Sequence, residues 1–299
     1  MIYTLTCNPA LDYAVRLDKF REGAINRSYG ESIAPGGKGV NVSLVLKNLG
    51  VPTLAMGVAA GFTGEVLLEM LEARGVPTDF LRADGFTRIN VKLKSARETD
   101  INGSGPALTE EMLGALAQKI AALPQNACLV LAGSVPEGVS GDFYARLLAA
   151  SGRDDLRVAV DASGALLVNV LQYRPWLIKP NLEELSEIFG VRFTSREQVE
   201  RYAHRLCEMG ARNVIVSLGS NGAMMLNERG EEMMVPAFIG EEVDTVGAGD
   251  SLVAAFIAAK EGGSTDLQAL RRGVAAGCAT AFKEGLATCE EIEALLKRA

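Results

Sequence analysis

The segment Asp244-Thr245-Val246-Gly247-Ala248-Gly249-Asp250-Ser251 runs into Leu252, Val253, Phe256 and Ile257, apolar residues at helical spacing. Glycines at a helix start let backbone N–H groups approach an anion, and the helix dipole favours negative charge there. The spacing therefore predicts an anion hole formed by Gly247, Ala248 and Gly249. Asp250 falls in the first helical turn, where a carboxylate can accept a hydroxyl proton while neighbouring amides hold a transferring phosphoryl group. Taken alone, the segment reads equally as a helix start with Asp250 as its cap.

A second glycine segment, Pro35-Gly36-Gly37-Lys38-Gly39-Val40-Asn41-Val42, leads into a helix with Val42, Val45, Leu46 and Leu49 on one face. Its glycines permit close backbone approach to a ligand, and Lys38 supplies a point charge suited to phosphate. The bland reading is a tight turn with a solvated lysine. Two familiar glycine loops are excluded. A dinucleotide fingerprint needs a third glycine where Leu252 stands, and a phosphate-binding loop of the nucleotide-triphosphatase type needs Ser or Thr where Gly39 follows Lys38. The single histidine, His204, lies off the apolar stripe of Val199, Tyr202, Leu206 and Met209, so it reads as a solvated surface residue. That placement excludes a Ser-His-Asp triad and a histidine-based metal site.

The elements that must position these residues follow from the rest of the chain. Short β-branched runs, Ile2 to Cys7, Cys128 to Leu131, Val158 to Val160, Trp176 to Ile178 and Val214 to Leu218, read as buried strands. Between them lie helical patterns such as Glu65 to Arg74, stopped by Gly75, and Thr109 to Leu123, stopped by Pro124. This alternation predicts βαβ units around a mainly parallel sheet, in an α/β fold. Two segments, 12–33 and 87–101, break the pattern; Ile89, Val91 and Leu93 alternate with polar residues, as in strands with one wet face. They are predicted to form a small accessory sheet, read either as a lid over a ligand site or as a hairpin far from any site.

Of 299 residues, 48% are hydrophobic and 22% charged, and the net charge is −7. These are globular proportions, and the acidic balance disfavours a nucleic-acid or anionic-lipid surface, so any anionic ligand must meet a local cationic site. The five cysteines, Cys7, Cys128, Cys207, Cys278 and Cys289, have no metal-binding spacing and read as buried thiols of a reducing compartment. Without a signal-peptide pattern at Met1 to Thr6 or an apolar run of membrane length, a cytoplasmic location is expected.

The two glycine motifs, in this order and roughly 200 residues apart, resemble those of the ribokinase-like carbohydrate kinases of the PfkB family, and the resemblance runs over essentially the whole chain. Thr6-Cys7-Asn8-Pro9-Ala10-Leu11-Asp12 and Thr87-Arg88-Ile89-Asn90-Val91-Lys92-Leu93 are most similar to its phosphosugar branch. The resemblance implies one ribokinase-like domain over residues 1–299, a three-layer αβα fold with a β-sheet lid, and a homodimer made through that lid. It implies ATP-dependent, Mg²⁺-requiring phosphorylation of fructose 1-phosphate at the C6 hydroxyl. Tagatose 6-phosphate is the alternative acceptor, and a non-catalytic sugar phosphate sensor is a further reading.

Residue by residue, the resemblance assigns Asp250 as catalytic base with Gly247, Ala248 and Gly249 as its anion hole. Asp12, Gly37, Lys38, Asn41, Arg88 and Ser134 would line the sugar phosphate site. Lys179, Asn181, Ser217, Gly219, Gly222 and Gly249 would meet the nucleotide, with Asn181 and Glu184 organising Mg²⁺ through water. Magnesium suits such oxygen ligands and retained waters. Val135, Glu137 and Ala162 depart from the family pattern around Ser134 and after Asp161.

Overall fold

The computed structural model describes residues 1–298. A nine-stranded sheet forms the middle layer, built from β1 (Ile2–Thr6), β4 (Thr53–Ala60), β5 (Thr78–Ala83), β8 (Cys128–Ala132), β9 (Arg157–Asp161), β10 (Leu177–Ile178), β11 (Val214–Ser217), β12 (Ala223–Leu226) and β13 (Glu232–Val235). Its order is β13-β12-β11-β10-β9-β8-β1-β4-β5, and every pair from β11 to β5 is parallel. The five strands expected from sequence are β1, β8, β9, β10 and β11. The chain adds β4 and β5 at one side and an antiparallel β12–β13 hairpin at the other.

Both faces of the sheet are covered, because its central strands are apolar on both sides. In β1, Tyr3 and Leu5 point into one core and Ile2 into the other; in β8, Leu129 and Leu131 oppose Cys128 and Val130. Helices α3 (Glu110–Ala121), α4 (Phe143–Ser151), α5 (Gly164–Val170), α6 (Leu182–Phe189) and α7 (Arg196–Glu208) pack on the first face. On the second lie α1 (Lys38–Asn48), α2 (Gly61–Ala73), α8 (Ala248–Glu261), α9 (Asp266–Ala281) and α10 (Cys289–Leu296). This is the three-layer αβα arrangement expected from the alternating pattern.

The accessory sheet also forms, with order β3-β2-β6-β7 from β2 (Ala10–Arg16), β3 (Gly30–Gly36), β6 (Arg88–Lys94) and β7 (Thr99–Asn102). Its strands begin before residue 12 and end after 33 and 101, and residues 17–29 form a loop rather than strand. The cysteines depart from expectation in one respect: all five are free, but only Cys7 and Cys128 are buried, while Cys207, Cys278 and Cys289 are half-buried. His204 is surface-exposed and paired with Glu232 at 2.9 Å.

Candidate active site

The site is assembled at the carboxyl edge of the parallel strands, where α/β sheets place their ligands. Asp161 ends β9, Lys179 follows β10, Gly133 and Ser134 follow β8, and Ser217 ends β11. Facing this edge are the N-termini of α1 and α8, each entered through a glycine at positive φ. Gly37 precedes α1 with φ 107° and Gly247 precedes α8 with φ 80°, conformations that side chains rarely tolerate. At Gly247 a Cβ would also lie 2.5 Å from Leu286 Cδ2.

Asp250 occupies the first turn of α8, is 6% exposed, and accepts a 2.7 Å hydrogen bond on Oδ2 from Asn41 Nδ2 of α1. Its Oδ1 has no partner among the described residues. The amides of Gly249 and Asp250 likewise have no carbonyl acceptor among the described residues, as helix N-termini leave them. An unpaired carboxylate oxygen thus lies beside unpaired amide donors. Burial, followed by repulsion from Asp161, pushes the Asp250 carboxyl up to about 6, against the opposing pull of Asn41, Lys38 and Lys179.

Beside it lies a cluster of two lysines and two carboxylates. Lys38 Nζ is 2.8 Å from Asp161 Oδ1 and 3.2 Å from Glu184 Oε1, and Lys179 Nζ is 3.4 Å from Asp161 Oδ1. Burial alone would lower the Lys38 ammonium, but the carboxylates of Asp161 and Glu184 outweigh it and raise the value. Asp161 is 1% exposed, and its carboxyl is held below the usual range because Lys179 and Lys38 outweigh the effect of burial. Lys179 also lies along the approach to the α8 turn, since a Cβ on Gly249 would be 3.3 Å from its Nζ.

Asp161 is the residue the motifs missed. A lone aspartate at a strand end carries no local pattern; the only available signal was its position at the carboxyl edge of a parallel strand. Asn181 and Glu184 form a capping box at the start of α6: Asn181 Oδ1 accepts from the Glu184 amide at 2.7 Å, and Glu184 Oε2 accepts from the Asn181 amide at 2.9 Å. That leaves Glu184 Oε1 facing Lys38, whereas the Asn181 carbonyl oxygen is engaged.

The carboxylates of Asp161 and Glu184 fit a magnesium ion at this corner, beside the Asn181 that the resemblance also assigns to it. Asp161 Oδ2 is buried without a hydrogen-bond partner among the described residues, and Glu184 Oε1 converges with Asp161 Oδ1 on one ammonium. Among the described residues no group of three or more His, Cys, Asp or Glu is arranged to hold a metal. Two carboxylates suit an ion that retains waters and shares phosphate oxygens.

The accessory sheet contributes Asp12, Arg16, Lys92 and Lys94 to a cleft of about 590 Å³ that Asn41 and Asp244 also line. Asp12 Oδ1 accepts from Asn90 Nδ2 at 2.9 Å across the β2–β6 pair. Arg88, two register pairs earlier, donates from Nε to the Asn8 carbonyl at 3.1 Å, and burial lowers its guanidinium value. Ser134 is exposed just beyond β8, and Gly133 sits against Lys38, where a Cβ would be 3.7 Å from Lys38 Cβ. Ser217, Gly219 and Gly222 form the turn after β11, with Ser217 bridged to Asn181. The structure therefore brings Asp250, Asn41, Lys38, Lys179 and Glu184 together, with Asp12 and Arg88 on the sheet above.

A buried carboxylate, paired cations and helix N-termini at this edge fit a phosphotransferase site on a ribokinase-like fold. Residues 6–293 match the model of the pfkB family carbohydrate kinases, and the chain belongs to that family. It is 42% identical over 297 residues to the 1-phosphofructokinase of Bacillus subtilis, covering 99% of this chain and 97% of that protein. It is 36% identical over 294 residues to the D-tagatose-1-phosphate kinase of Bacillus licheniformis, covering 98% and 96%. The phosphofructokinase-2 of Escherichia coli in complex with fructose-6-phosphate superposes with TM-score 0.92 at 29% identity, covering 99% and 98%. The chain is accordingly a kinase, of a family that uses ATP as co-substrate.

Proposed function

We propose that the chain transfers the γ-phosphoryl group of ATP to the C6 hydroxyl of fructose 1-phosphate, giving fructose 1,6-bisphosphate and ADP. The observation that carries this reading is Asp250: a buried carboxylate with one free oxygen, set beside the free amides of α8. Asp250 Oδ1 accepts the hydroxyl proton as the C6 oxygen bonds to the γ-phosphorus and the bond from that phosphorus to the ADP oxygen breaks. Little covalent work falls to the protein, so positioning and the Gly247, Ala248 and Gly249 turn supply most of the acceleration.

In this reading Asp12, fixed by Asn90, meets the sugar hydroxyls, while Arg88 and Ser134 hold the existing phosphate with the Gly37 turn. Lys179, Ser217, Gly219 and Gly222 meet the nucleotide. Asp161, Asn181 and Glu184 would hold Mg²⁺ through water, and the ion would neutralise charge on the nucleotide phosphates. Lys38, engaged by those same carboxylates, stands between the metal corner and the acceptor.

The relative from Bacillus licheniformis favours a second acceptor, tagatose 1-phosphate, which joins tagatose 6-phosphate as an alternative. Phosphorus NMR on ATP, Mg²⁺ and fructose 1-phosphate tests the assignment: the enzyme should convert the acceptor to a species with two phosphomonoester signals, and its persistence unchanged would reject it.

A homodimer through the accessory sheet is supported by that sheet's outer face. Ile33, Tyr13, Val91 and Ile101 are register partners in one row across all four strands, and Ile33, Ile89 and Ile101 are 46%, 42% and 57% exposed. An apolar row on a solvent-facing sheet fits a second copy of the same face. The single domain over residues 1–299 and a cytoplasmic location belong to the same reading. Among the described residues no helix is long and apolar enough to cross a membrane.

A further inference from the structure

We infer that Asn41 is a positioning residue for the base, rather than only a contact for the acceptor. The inference rests on the reading of Asp250 given above. Asn41 stands three residues after Lys38, so the first turn of α1 presents both side chains on one face. Lys38 reaches the metal corner, and Asn41 reaches across to α8, where its Nδ2 donates to Asp250 Oδ2 at 2.7 Å. Asn41 is 9% exposed and Asp250 6%, so the bond is formed away from bulk water, where a charge-assisted hydrogen bond is strongest.

The geometry has a consequence for which oxygen reacts. With Oδ2 held by Asn41, the carboxylate cannot rotate freely, and Oδ1 is the oxygen left to receive the proton. The donor also favours the ionised form of a group that burial and Asp161 push the other way, with Lys38 and Lys179 as the remaining charges facing it. Asn41 thus serves orientation and ionisation together. A residue that bound only the sugar would change acceptor affinity and leave the ionisation of Asp250 untouched.

The test compares the wild type with Asn41→Leu and with the isosteric Asn41→Asp. Carbon-13 NMR of aspartate-labelled protein follows the Asp250 carboxyl, assigned by its disappearance in Asp250→Asn, and kcat is measured against pH at saturating substrates. In Asn41→Leu the Asp250 titration and the acid limb of kcat should both move to higher pH, with kcat lowered by about 10- to 100-fold, the order expected for one hydrogen bond to a charge. In Asn41→Asp, where two carboxylates face each other, both should move further. An unmoved Asp250 titration in either folded variant, with the loss confined to acceptor KM, would overturn the inference. The NMR readout does not depend on turnover, so an active Asp250→Asn enzyme would remove the base itself without being confused with a failure of Asn41.

Discussion

Lys38 Nζ lies 2.8 Å from Asp161 Oδ1, joining the first turn of α1 to the last residue of β9 across 123 positions of chain. With Glu184 at 3.2 Å, this lysine ties the glycine turn before α1 to two carboxylates on the opposite side of the site. Lys38→Met leaves Asp161 with Lys179 alone, and Glu184 Oε1 with no cation among the described residues. Because the Lys38 side chain is 34% exposed, solvent screens part of the loss, and a destabilisation of about 1–2 kcal/mol is expected in urea unfolding. kcat/KM should fall more than about 10-fold in parallel. Unchanged stability together with unchanged kcat/KM would show the contact to be incidental.

Arg88 should discriminate phosphorylated from unphosphorylated acceptors. If its guanidinium holds the existing phosphate, Arg88→Ala should lower kcat/KM for fructose 1-phosphate by the equivalent of about 2–5 kcal/mol, with a far smaller effect on fructose. Equal losses on both sugars would assign Arg88 to the fold, where its bond to the Asn8 carbonyl would be its whole role.

The ionisation of Asp250 ties activity and stability to pH in opposite senses. Its carboxyl is raised from 3.8 to about 6, so the folded protein binds this proton more tightly than the unfolded chain does. Stability from this group is therefore present at low pH and lost as pH rises from about 4 through about 6, while the base becomes competent over the upper part of the same range. Asp250→Asn should melt higher than the wild type at pH 8, with the difference vanishing below about pH 4. A variant that melts lower at pH 8 would mean that the carboxylate stabilises the fold.

Substrate should quiet the accessory sheet. Arg16 pairs with Glu284 at 2.7 Å and Lys94 with Asp244 at 3.4 Å, tying the sheet to the loop before α10 and to the loop that leads into the α8 turn. Acceptor bound between them should slow hydrogen exchange in β6 and β7, residues 88–94 and 99–102, and exchange rates unaffected by acceptor would argue that the sheet is not a lid.

How much of this was legible in sequence depended on whether the signal was local. The glycine turns of α1 and α8, the N-cap of α3 at Thr109 and the buried strands β1 and β8 to β11 are written in short windows of periodicity and turn chemistry, and the structure places them there. The strand β4 was hidden because Thr53–Ala60 is an apolar run without alternation, and β12 because Ala223–Leu226 is buried throughout and lacks β-branched residues. The partners of Lys38 were out of reach for another reason: the residue type speaks for a phosphate, and only the crossover connections bring Asp161 and Glu184 to it. The glycines of α9 carry a similar lesson. A Cβ on Gly273 or Gly277 would lie 2.9 Å from the Leu252 carbonyl or 3.1 Å from the Ala248 carbonyl of α8, a close helix approach no local pattern announces.

The central claim, a kinase for fructose 1-phosphate with Asp250 as base, meets its most direct test in kcat/KM with Mg²⁺ and ATP. The acceptors compared are fructose 1-phosphate, tagatose 1-phosphate, tagatose 6-phosphate, fructose 6-phosphate and ribose. Fructose 1-phosphate should be preferred, and Asp250→Asn should lower kcat on it by about 10²- to 10⁴-fold while leaving ATP binding intact. Preference for another acceptor would contradict the substrate assignment, and an undiminished kcat in Asp250→Asn would contradict the mechanism.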